Sequence, residues 1–188
     1  MLFNMGVPMI IPAMFFMALA LVPIVLIESF YIAKRLGVRF KQTVGLVTLG
    51  NVVTTLVGIP ATWLVLFLIQ LITGAILFGY DANGFAGQLF RVTLQSPWLF
   101  PMQDDEPWLF HFSALFLLIP FYFATWLIEY FLMRDKLAIA VVTADESIET
   151  STAEGQVWIA VRNANLLSYS LIALLIIVSL ILVALPRT

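Results

Sequence analysis

Four long apolar runs govern what this chain can become: about Val7–Ala33, about Thr43–Gly79, about Phe110–Met133 and about Asn165–Leu185. Each meets the roughly 20 mostly apolar residues that a helix needs to cross the hydrocarbon core of a bilayer. Inside lipid no water meets the backbone, so such a run crosses as a helix that satisfies its own amides and carbonyls. The rest of the chain cannot coat these runs with polar surface. Only 11% of the 188 residues are charged and 62% are hydrophobic, with a mean hydropathy of +1.05, where soluble domains carry about 25% charged residues. The expected fold is therefore all-α: a polytopic membrane protein of four transmembrane helices in one membrane domain.

The second run is long for a single straight crossing, since its 37 residues would reach about 55 Å as a helix. Pro60 lies in its middle, in "VGIPATW" (Val57–Trp63). No polar turn accompanies it, so one kinked or tilted span is expected rather than two short ones. Pro23 and Pro120 predict bends in the first and third helices, because proline removes an amide donor and clashes with the preceding turn. No basic residue precedes the first apolar run, so it reads as a retained span and not as a cleaved leader.

Charge then sets the topology. Lys34, Arg35, Arg39 and Lys41 follow the first run, and Arg134, Lys136 and Arg162 flank the connection between the third and fourth. Seven of the nine basic residues thus share one side of an alternating four-span chain, which makes that side cytoplasmic or stromal. Both termini are expected on the other side, in a bacterial inner membrane or a thylakoid-type membrane. The expected organisation is a first hairpin over about 7–79, an outer loop over about 80–108 and a second hairpin over about 109–185. An inner loop over about 134–163 falls within the second hairpin. The outer loop carries "SPWLFPMQDDEPW", a cap suited to the membrane surface. The inner loop carries "TADESIETSTAEGQ" (Thr143–Gln156), which reads as flexible or ordered by a partner.

A phrase recurs. "LIESFYIAKRL" (Leu26–Leu36) overlays "LIEYFLMRDKL" (Leu127–Leu137), matching Glu28 with Glu129 and Arg35 with Lys136. Further on, "GNVVTTL" (Gly50–Leu56) and "ANLLSYSL" (Ala164–Leu171) each place a small residue before an asparagine, Asn51 and Asn165, with hydroxyls after it. The pattern suggests two helical hairpins related by an axis along the membrane normal, a parallel internal repeat of the kind some transporters use.

A carboxylate is costly in lipid and faces protein or water, so Glu28 and Glu129 are the candidate site, with Asn51 and Asn165 as their partners. In the structural reading each asparagine clasps its own hairpin's glutamate, and Arg35 and Lys136, two helical turns on, lean toward the acid from the inner surface. In a second reading the same four residues bind a cation or pass a proton, with Thr62, Gln70, Thr73, Ser113 and Thr125 as sparse polar continuation. A third reading uses them to ligate the magnesium of a chlorophyll-type pigment.

Other chemistry is poorly supplied. With no cysteine and one histidine, His111, thiolate chemistry and bis-histidine haem ligation within one chain are excluded. No metal site, cofactor or catalytic constellation is expected. A net charge of −2 gives no support for nucleic-acid binding. The expected protein is a non-enzymatic accessory, assembly or scaffold subunit of a membrane complex, or a self-associating protein. It would touch the bilayer and other membrane subunits. The alternative is a small proton- or cation-coupled transporter or channel.

Overall fold

The computed structural model of the protein describes residues 10–76, 84–85, 87–89, 93 and 108–184. Its long elements are all helices: α1 (Ile10–Leu36), α2 (Phe40–Ile76), α3 (Trp108–Ala144) and α4 (Thr150–Ala184). No strand occurs among the described residues. Among the described residues three stretches are long and apolar enough to cross a membrane: Phe40–Ile69, His111–Ala144 and Thr150–Leu182. These are the dimensions of a helical membrane protein. The remaining helix, α1, has 27 residues. Pro23, Pro60 and Pro120 lie inside α1, α2 and α3, which continue through them. All three occupy exposed positions.

The chain divides into two compact units. One comprises Met17–Gly58 and Pro120–Leu171 and contains the core. Here α1 and α2 are joined by residues 37–39, with Gly37 at φ +67°, the left-handed conformation that ends helices and suits glycine. The α3–α4 connection is also short, residues 145–149. Asp145 Oδ1 accepts hydrogen bonds from Ser147 N at 3.0 Å and Ser147 Oγ at 2.6 Å, and Ile148 N donates to the Asp145 carbonyl at 3.1 Å. These bonds pull the Asp145 carboxyl below the usual aspartate range.

The inner loop expected over 134–163 is corrected by this geometry. Most of it is helix, because its apolar residues share one face: Leu137, Ala138 and Val141 on α3 and Ala153, Val157 and Ala160 on α4 are buried. The hydroxyls and acids between them lie mainly on the outside. Average polarity suggests a loop there, whereas helical period gives a helix with one buried stripe.

In the other unit (Met1–Phe16, Ile59–Ile119 and Ile172–Thr188), Leu66 and Leu109 are buried. His111 Nε2 lies 3.0 Å from Ser179 Oγ. Phe85 stacks on Trp108 with centroids 5.9 Å apart, and Phe112 meets both rings edge-on. Of the segment expected as an outer cap, Asp104, Asp105 and Glu106 fall outside the described residues, and Trp108 at its end opens α3.

Candidate functional site

The buried face of each helix in the first-described unit follows the helical period. On α1 it includes Val25, Glu28, Ile32 and Leu36; on α2, Thr43, Val47, Gly50, Asn51 and Thr54. On α3 it includes Glu129, Met133 and Leu137; on α4, Val157, Val161, Ala164, Asn165 and Ser168. Spacings of three, four and seven residues put each set on one side of its helix. Each glutamate therefore shares a stripe with the core residues of its own helix and is carried into the interior.

Glu28 is 1% exposed and Glu129 and Asn165 are fully buried. Asn51 Nδ2 donates to Glu28 Oε2 at 2.7 Å and to the Val47 carbonyl at 3.2 Å. Asn165 Nδ2 donates to Glu129 Oε2 at 2.7 Å and to the Val161 carbonyl at 3.2 Å. Both amide hydrogens are thus used in each hairpin, one to turn the side chain along its helix and one to hold the acid. The hydroxyl three residues beyond each asparagine sits beside that asparagine's carbonyl: Thr54 Oγ1 donates to it at 3.1 Å, and Ser168 Oγ lies 3.0 Å from it.

The hairpins differ in length without losing this register. Eight residues separate Glu28 from Leu36, and fifteen separate Glu129 from Ala144. Eleven separate Phe40 from Asn51, and fifteen separate Thr150 from Asn165. The second hairpin is thus longer by seven residues on one arm and four on the other, close to two turns and one turn of helix. Near-whole turns keep the glutamate and asparagine facing each other.

Two contacts cross between the hairpins. Ser168 Oγ donates to Glu28 Oε1 at 2.5 Å, and the Glu129 side chain lies against Gly50, where an added Cβ would sit 3.2 Å from Glu129 Cγ. The exchange is unequal: Glu28 has donors on both oxygens, whereas Glu129 Oε1 and Asn165 Oδ1 are buried without a hydrogen-bond partner.

Arg35 and Lys136 do not reach the acids. Both are exposed, and the ion pair found among the described residues is Arg134 with Asp135, at 3.0 Å. A long basic side chain two turns away gains more from water near the helix end than from a carboxyl already held by neutral donors. The expected charge partners are replaced by amide and hydroxyl groups. Ser168 is the member of the site that the sequence reading omits. Its signal is the hydroxyl three positions after asparagine, on the same helical face and present in both copies.

Around the clasp, Thr125 Oγ1 and Tyr169 OH are 2.8 Å apart, and Asn163 Nδ2 donates to Tyr31 OH at 3.3 Å. Tyr122 and Trp126 stack at 6.0 Å, and Trp126, Tyr130 and Trp158 form a tighter group, with centroids at 4.5 and 4.7 Å. The side chains of Gln70 and Thr73 lie outside the described residues. Among the described residues no group of three or more His, Cys, Asp or Glu side chains is arranged to hold a metal ion. No protein-family model, curated protein or solved structure matches the chain.

Proposed function

We propose that all four helices cross a bacterial inner or thylakoid-type membrane, with both termini on the non-cytoplasmic side. The protein acts without chemistry of its own, as an accessory, assembly or scaffold subunit that touches other membrane proteins through its helix faces. The carrying observation is where the polar groups go. Glu28, Asn51, Glu129, Asn165 and Ser168 are turned inward and spent mainly on one another, while Leu26, Phe30, Leu127, Phe131 and Leu166 are exposed. A polar cluster that locks helices together and an apolar exterior suit a component that works by lateral contact. The near-identical bonding in the two hairpins supports the reading as two matched halves. Extraction in mild detergent followed by native mass spectrometry tests it. A complex with other membrane subunits, or a discrete homo-oligomer, is expected; a lone monomer at native abundance argues against the proposal.

A second reading, a proton- or cation-coupled carrier, is favoured by one observation: Glu129 Oε1 and Asn165 Oδ1 are buried acceptors without donors. Intramembrane acids of this kind often mark ion pathways. Glu28→Gln with Glu129→Gln preserves shape and removes charge. Ion flux by the wild type in liposomes, lost in a folded double variant, would favour the carrier over the subunit.

A further inference from the structure

We propose that the groove between α1 and α4 is a binding site for an anionic phospholipid, with Lys34 and Arg35 on its headgroup. The groove encloses about 640 Å³ and is lined by Leu26, Ile27, Phe30, Tyr31 and Leu167, with Lys34 and Arg35 at one end. Leu26 to Lys34 spans eight residues, about 12 Å of helix, so an acyl chain along the apolar stretch would bring its phosphate to the bases. The wall is held in place: Asn163 on α4 donates to Tyr31 OH on α1 at 3.3 Å.

Charge complementarity selects the occupant. An apolar surface in a membrane is covered by lipid of any kind, but two adjacent cations at the cytoplasmic headgroup level favour an anionic lipid over a zwitterionic one. The repeat supplies an internal comparison. Leu26, Ile27 and Phe30 overlay Leu127, Ile128 and Phe131, yet Lys34 overlays Asp135, which is already paired with Arg134. The apolar half of the pattern occurs twice; the second copy also ends in two bases, Arg134 and Lys136, but Asp135 between them offsets one charge, so two unopposed adjacent cations occur only at Lys34 and Arg35. Another hollow, about 380 Å³, lined by Gln42, Gly45, Leu46, Lys136 and Ile139, offers one cation.

This inference rests on the membrane reading, and carbonate-resistant membrane association checks that reading separately. The full chain in detergent is mixed with phosphatidylglycerol and phosphatidylcholine, and bound lipid is counted by native mass spectrometry. The expected preference for phosphatidylglycerol is on the order of tenfold, reduced to near parity in K34Q/R35Q. Leu167→Trp, which fills the groove and leaves the bases, should lower retention of both lipids. Equal retention by the wild type overturns the proposal. So does an equal loss in R39Q/K41Q, which would make the effect one of the whole basic surface. A dimer that excludes lipid and dissociates in Leu167→Trp would overturn it too, by showing a second copy on the groove.

Discussion

Ser168 donates to Glu28 across 140 residues of sequence, at 2.5 Å, from the hairpin that does not contain Glu28. The bond ties α4 to α1 where both side chains are almost wholly buried. Ser168→Ala leaves Glu28 Oε1 without that donor. The expected loss is about 1 kcal/mol, typical of a side-chain hydrogen bond between membrane helices. Reversible unfolding in mixed micelles measures it. Ser168→Thr keeps the hydroxyl, as Thr54 does at the matching position of α2, and should cost less; equal losses would mean that the bond contributes nothing.

The two asparagines look interchangeable but should not be equally costly to lose. Removing Asn51 leaves Glu28 with Ser168, whereas removing Asn165 leaves Glu129 with none of the donors now found on its carboxyl group. Asn165→Leu is expected to destabilise the fold more than Asn51→Leu, by about 1 kcal/mol or more, because an orphaned buried acceptor costs more than a shared one. The same micelle assay ranks them, and the reverse order would refute the assignment of donors.

The spacing of glutamate and asparagine was legible because polar residues in an apolar run announce a buried face. The rest of each buried face was harder to see. In a soluble helix apolar residues mark the inside, but here Phe30 and Leu26 face out while Ala160, Ala164 and Gly50 face in, so hydrophobicity does not separate the two sides. Size and polarity do, as expected where helices associate by close approach instead of by leaving water. Arg35 and Lys136 were misplaced for a related reason. Two helical turns bring a residue to the same face, but its tip follows the water.

The two short interhelical turns should respond to different perturbations. Gly37 has φ +67°, and a Cβ added there would meet nothing within 4 Å, so Gly37→Ala meets backbone strain and no clash. Its cost is expected at about 1 kcal/mol. At the other turn the bonds from Ser147 lower the Asp145 pKa, so their contribution is present above the ordinary aspartate value and is lost as pH falls through the lowered folded value. Protection of the Ser147 amide from hydrogen exchange should therefore drop on acidification through that range and be weak at all pH values in Asp145→Ala. Unchanged protection in that variant would mean that the carboxylate does not hold the turn.

Gly50 and Gly45 lie on the same helix and should answer the same substitution with opposite signs. An alanine Cβ at 45 meets nothing within 4 Å, so Gly45→Ala gains the helix preference of alanine over glycine, about 0.5–1 kcal/mol. At 50 the new methyl would stand 3.2 Å from Glu129 Cγ and 3.6 Å from Cδ. Glu129 is fully buried and tied to Asn165, so it cannot yield without lengthening that bond or moving α3. Overpacking is expected to outweigh the helix gain and leave Gly50→Ala less stable than wild type by about 1 kcal/mol. Asn165→Leu breaks the tie, so Gly50→Ala should cost less in that background than in the wild type. A double-mutant cycle reads the coupling. If alanine at 50 costs the same with and without Asn165, then contact with the clasped acid is not what requires glycine there.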